Sequence, residues 1–183
     1  MQVPGYDGQP VACVVVSPFT LRRKAARVVL LNERQEILLL HAADPANHKK
    51  PPWWEIPGGG MDAGETSAES AARELYEEAG IVAAEVGPCI WTMRNEFDFA
   101  GFHFDQDEFI HVAWCTDGEY APTHLEALEA VAFDDGRWWS LDELLASDEP
   151  VLPVKLREYL PPIVAGDLPP EPIDIGDLPP RDA

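Results

Sequence analysis

At 183 residues, 46% apolar and 25% charged, the chain has a globular composition, with room for one domain of about 130 to 150 residues and a proper core. Its charge is unusual: 33 acidic against 13 basic residues leave a net −20. Such a surface repels nucleic acid, which needs a basic footprint, and it requires bound cations wherever a polyphosphate is to be met. Cys13, Cys89 and Cys115 lie far apart without metal-type spacing, so reduced thiols and a cytoplasmic location are expected. The apolar run at 11–16 is too short for a signal or membrane helix, and Arg22-Arg23 follow it rather than precede it, so no membrane association is expected.

In chain order, residues 25–31 and 36–40 are apolar strand candidates split by the turn Asn32-Glu33-Arg34-Gln35. A polar loop over 41–52 carries His48, Lys49 and Lys50, and a short strand at 53–56 leads into Pro57-Gly58-Gly59. A helix follows. Thr66-Ser67-Ala68-Glu69 fits a capping box, Gly80 stands where a left-handed cap is wanted, and Ala68, Ala71, Ala72, Leu75 and Ala79 form an apolar stripe at helical spacing. Residues 89–99 and 102–115 read as two longer strands around Ala100-Gly101, 117–124 as loop, 137–140 as a last strand, and 141–146 as a short helix started by Ser140. A further helix is expected over 153–160, with Pro in its first turn. This β-rich order with a central helix predicts an α/β protein, a mixed sheet covered by helices. From residue 161 the composition changes: seven of the last 23 residues are Pro, and GDLPP occurs at 166–170 and again at 176–180. Ile163, Val164, Leu168, Ile173, Ile175 and Leu178 could dock this tail on its own body or on a second copy, as a homodimer.

The helix carries Glu74, Glu77 and Glu78 at offsets of 0, +3 and +4, which share one face. Two carboxylates about 5 Å apart repel by roughly 3 kcal/mol at an effective dielectric near 20. A solvated acidic face is the plain alternative, but such faces usually intersperse Lys, and here only Arg73 is near. A divalent cation resolves the repulsion, and all-oxygen ligation suits magnesium, with manganese as a substitute. Arg73 is placed to orient Glu74 or Glu77, Glu65 to brace the Gly loop or helix start, and the glycines at 58 and 59 permit close approach to phosphate.

Residues 59–81, GGMDAGETSAESAARELYEEAGI, resemble the Nudix hydrolase signature at every fixed position. Weaker similarity, through Trp54-Glu55-Ile56-Pro57 and residues 138–144, extends it over about residues 20–150. The resemblance implies a Nudix fold, with the mixed sheet sandwiched between helices. It divides the chain into an N-terminal extension (1–19), a Nudix domain (20–160) and a Pro-rich acidic tail (161–183). It also implies magnesium-dependent attack of water on a diphosphate joined to another moiety, often a nucleoside. Glu74, Glu77 and Glu78 would then serve metal and catalysis, with a backbone carbonyl at Gly58 or Gly59 as a further ligand. The base would be a box Glu or an acid outside the box, for which Glu108, just before Phe109, is chosen. Arg27, Arg94 and the Lys49-Lys50 pair, Lys50 above all, are candidates for substrate phosphates, and Phe97, Phe99, Trp53 or Trp54 for stacking a base. Residues 96–99 lack the Pro or Tyr that marks some subgroups, so neither an ADP-ribose nor a dinucleoside polyphosphate substrate gains support. Two rivals use the same fold. A non-catalytic nucleotide-binding or regulatory module usually loses box carboxylates, which this chain keeps. An isoprenoid-diphosphate isomerase needs an added catalytic Cys, whereas Cys89 and Cys115 fall in apolar strand-like runs.

Overall fold

The structure, a computed structural model, describes residues 19–81, 85–116 and 118–179. Cys13 and the expected N-terminal extension up to residue 18 lie outside these. In chain order the elements are β1 (Thr20–Leu31), β2 (Ile37–Ala42), β3 (Trp53–Glu55), β4 (Gly58–Gly60), α1 (Ser67–Ala79), β5 (Glu85–Phe99), β6 (Phe102–Trp114), α2 (Glu129–Ala132), β7 (Phe133–Trp139), α3 (Leu141–Ala146), β8 (Val151–Leu152), α4 (Leu156–Val164) and β9 (Ile173–Asp174).

The strands form one mixed sheet in the order β8-β3-β2-β1-β6-β5-β9, with β4 added to β1 and β7 to β2. β1 runs parallel to β6 over its whole length, while β5 and β6 form a long antiparallel hairpin. β1 sits at the centre, and its residues 28–31 are all buried because both sheet faces are covered. Alternation sorts them: Val28 and Leu30 pack with Ala71, Leu75 and Ala79 of α1, whereas Val29 and Leu31 pack with Leu144 of α3 and Leu156, Leu160 and Ile163 of α4. The result is the expected α/β/α sandwich.

α1 starts as its sequence dictates. The Thr66 hydroxyl accepts from the Glu69 N–H, the Glu69 carboxylate accepts from the Thr66 N–H at 2.8 Å, and the helix ends on Gly80 at φ 73°. Ser140 and Glu143 repeat the capping box at α3.

Several bounds differ from the sequence reading. β1 begins at Thr20 rather than 25, because pairing with β6 carries the charged Arg22, Arg23 and Lys24 in extended form. β7 begins at Phe133 rather than 137, since backbone pairing with β2 overrides the poor strand propensity of Asp134, Asp135 and Gly136. The helix expected over 153–160 is α4, running through Pro161 and Pro162 to Val164; Leu156, Leu160 and Ile163 on the core hold it where propensity alone would end it.

The tail lies on its own body. Leu168 packs against the core, β9 pairs in parallel with β5, and Ile175 is buried among Ile90, Trp91 and their neighbours. The apolar side chains that suggested a dimer contact are thus partly spent within the chain.

Candidate active site

Three carboxylates converge beside the Gly loop. Glu74, Glu78 and Glu129 each offer an oxygen, all within 4.8 Å of one another. Glu74 and Glu78 come from one face of α1 at i,i+4, and Glu129 from the first turn of α2. Burial pushes the Glu74 carboxyl up to about 7, against the opposing pull of Arg73. Glu78 is raised well above the usual carboxylate range, by burial first and then by the charges of Glu74 and Glu129. Glu129 is also raised, chiefly by burial. The donor set fits a hard divalent cation: it is all oxygen, clustered, and destabilised when its charges are bare.

Arg73 organises the rest of the helix face. Its Nε donates to Glu65 Oε1 at 2.9 Å, one terminal nitrogen to Glu74 at 2.8 Å and Glu77 at 2.9 Å, and the other to the Gly60 carbonyl at 2.9 Å. Glu65 also accepts from the Asp62 N–H, and Arg73 first, then Asp62, holds its carboxyl down at about 2. Glu77, read from sequence alongside Glu74 and Glu78, is half-exposed on Arg73 and does not join the three-carboxylate group.

The glycines are there for space. Gly58 sits at φ 139°, pairs with Arg27 across β4 and β1, and donates its N–H to Glu78 at 2.7 Å. A Cβ there would lie 2.3 Å from the Ala26 carbonyl oxygen, and one at Gly59 would lie 2.8 Å from the Glu74 carboxylate. Only glycine lets β4 pass between β1 and the helix acids.

Arg27 holds a second buried network. Its Nε donates to Glu108 at 2.9 Å, and a terminal nitrogen reaches the Ile56 carbonyl at 3.2 Å and Glu55 at 3.4 Å. Burial works to lower the guanidinium's pKa, but Glu108, Glu55 and Glu78 raise it by more. Glu108 accepts from Gln106 at 2.7 Å and Asn95 at 3.3 Å as well. Both its oxygens are therefore engaged, and it stands apart from the three-carboxylate group.

These parts meet along a cavity of about 710 Å³, the size of a small-molecule site. The cavity brings together Glu78, Glu129, Gly58, Gly59 and Glu108 with all four residues chosen for substrate: Arg27, Arg94, Lys50 and Phe97. Arg94 is paired with Asp105 at 3.1 Å and with Glu96. Phe97 stacks on Phe104 at 5.2 Å between ring centroids, and Lys50 lies 4.3 Å over the Trp53 ring, which meets Phe99 edge-on. Trp54, by contrast, belongs to the core, against Trp139.

Sequence reasoning missed Glu129 and Arg23. Glu129 falls in 125–132, a stretch with no motif, although Glu126 and Glu129 at i,i+3 mark one turn of helix. Arg23 falls before residue 25, where the apolar pattern of the first strand begins; on the full strand Arg23 and Arg27 share a face. Arg23 lines the cavity, 4.7 Å over the Phe104 ring.

Fold and site together define a class: an α/β/α sandwich whose Gly loop and acidic helix form a candidate divalent-cation site at the edge of a nucleotide-sized cavity. A model of the NUDIX domain matches residues 21–160, and the chain belongs to the NUDIX family of hydrolases. The RNA pyrophosphohydrolase of Caulobacter vibrioides is 32% identical over 124 residues, 62% of this chain and 69% of that protein. The mouse 8-oxo-dGDP phosphatase NUDT18 is 38% identical over 87 residues, 46% of this chain but only 26% of that protein. The solved Ap4A hydrolase of C. elegans shares the fold at a TM-score of 0.55, with 21% identity over 79% of this chain and 98% of that one. Among the described residues no helix is long and apolar enough to cross a membrane.

Proposed function

We propose that this protein is a magnesium-dependent hydrolase that cleaves the diphosphate linkage of a nucleoside diphosphate derivative by attack of water on phosphorus. The observation that carries this reading is the cluster of Glu74, Glu78 and Glu129, two of which, Glu78 and Glu129, line a cavity that also holds Arg23, Arg27, Lys50, Arg94 and Lys155. Those five cations share the lining with six acids, Glu55, Glu78, Glu96, Glu108, Glu129 and Asp177, so a bound divalent cation is what would turn the cavity towards an anionic substrate. The pyrophosphohydrolase and phosphatase names of the two relatives support the anhydride chemistry.

Glu74 and Glu78 would hold magnesium, with manganese able to substitute. The bound cation would supply charge neutralisation on the diphosphate oxygens and a more acidic water. Glu129 would take the proton from the attacking water. Its half-buried carboxyl is raised from the ordinary value, which brings a base towards working pH. Glu108 would act at one remove, holding Arg27 towards a phosphate oxygen. Arg73 would keep Glu74 in its rotamer, and Gly58 would fix Glu78 through its N–H. Trp53, Phe97 and Phe99 offer faces for a base. The acidic surface favours a small molecule over a nucleic acid, and three cysteines spaced far apart in the sequence favour the cytoplasm.

The test is a panel of nucleoside diphosphate and triphosphate derivatives, with and without magnesium, in ¹⁸O water. Magnesium-dependent products carrying ¹⁸O on phosphate are expected. A panel with no magnesium-dependent turnover, from protein that binds the same compounds, would leave a binding module instead.

A further inference from the structure

The cavity has a wall that the family match does not reach. Residues 167–179 lie beyond residue 160, where the matched domain ends. They are nonetheless fastened at three points: β9 pairs with Trp91 and Thr92 of β5, the Ile175 N–H donates to the Thr92 carbonyl at 2.9 Å, and Asp177 meets Lys155 at 2.7 Å. Ile175 is 3% exposed. From there Ile175, Gly176, Asp177 and Leu178 run along the cavity beside Met93 and Phe97.

We propose that this C-terminal segment determines specificity by contacting the organic group that the substrate carries beyond its diphosphate. Strand order gives the reason. The Gly loop on β4 is four strand steps from β9, through β1, β6 and β5. At about 4.8 Å per step that is about 19 Å along the sheet, so the segment and the Gly loop line different parts of the cavity, and a diphosphate at Gly58 and Glu78 leaves the segment to the rest of the substrate. The chemistry of the segment agrees. Leu178 presents apolar surface while the buried Ile175 anchors the segment, and the segment's one cavity-lining acid, Asp177, is paired with Lys155. With Met93 and Phe97 lining the same cavity, the wall suits a flat, uncharged group such as a nucleobase. This inference rests on the proposed diphosphate chemistry and adds where the far end of the substrate lies.

The experiment uses the full chain and two probes in the presence of magnesium: ADP, which carries a base, and inorganic pyrophosphate, which carries none. Binding of each is measured by calorimetry to the wild type, to Leu178→Ala and to Leu178→Asp. Leu178 is 36% exposed, so both variants should fold. Leu178→Ala is expected to weaken ADP roughly tenfold, about 1.4 kcal/mol, and Leu178→Asp more, with pyrophosphate changed less than about twofold. Unchanged ADP binding in both variants overturns the wall and leaves the hydrolase reading standing. Equal losses for ADP and pyrophosphate also overturn it, because they mark a general structural role. If neither probe binds the wild type, the wall falls, and the hydrolase reading is decided separately by the turnover panel.

Discussion

At the scale of single residues, the site is a set of carboxylates held against their own repulsion, which makes it sensitive to metal and to pH. Glu78 is 1% exposed, accepts from the Gly58 N–H and faces Glu74 and Glu129. An amide there cannot hold a divalent cation as a carboxylate does, so Glu78→Gln is expected to lower kcat by roughly a hundredfold or more, about 2.7 kcal/mol. Turnover near the wild-type value at saturating magnesium would remove Glu78 from the mechanism. The raised pKa values give a second expectation. Glu74 titrates near 7 when folded and near 4.5 when unfolded, so between these values the folded state binds the extra proton. Stability from this group is therefore full below pH 4.5 and is lost as pH rises to about 7; Glu78 and Glu129 shift in the same direction. Thermal melts of metal-free protein should fall in Tm from pH 5 to pH 7.5. Magnesium at about 100 times its dissociation constant should restore about 2.7 kcal/mol at the upper end. Identical melts in magnesium and in sodium of matched ionic strength would count against a preformed site.

At the scale of elements, the parts that sequence reveals are those closed within a few residues. The capping boxes of α1 and α3, the Gly80 cap and the Glu74 and Glu78 spacing need only local hydrogen bonds and helical periodicity. β4, β8 and β9 are two or three residues each and exist because another strand lies beside them, which no local pattern announces. Glu129 was illegible for the same reason: its neighbours at the site are more than 50 residues away in α1. Arg73 links the two levels, since one guanidinium fork ties Glu65, Glu74 and Glu77 to the Gly60 carbonyl. Lysine supplies no such fork. Arg73→Lys is expected to raise the magnesium concentration needed for half-maximal activity by about 10- to 100-fold, the usual cost of losing a group that orients a ligand. A magnesium titration superposing on the wild type would show that the helix alone orients Glu74.

At the scale of the whole molecule, the tail belongs to the folded body. Ile175 packs in the same cluster as Leu160, Ile163 and Trp91, so Ile175→Ala should cost about 2 to 4 kcal/mol in denaturant unfolding with an unchanged m value. A cost below about 0.5 kcal/mol would mean the segment only rests on the surface. The sequence by itself determined the central sheet strands, the acidic helix with its caps, and the family resemblance, because these depend on alternation, periodicity and fixed spacing within one stretch of chain. Only the tertiary structure decided that Glu129, not Glu77, completes the carboxylate group and that Glu108 is spent on Arg27. It also decided that a Pro-rich tail, written like a free extension, adds a strand to β5. Each of those outcomes pairs residues far apart in the chain, and such pairs are selected by packing and charge compensation in three dimensions rather than by anything their own neighbours in sequence impose.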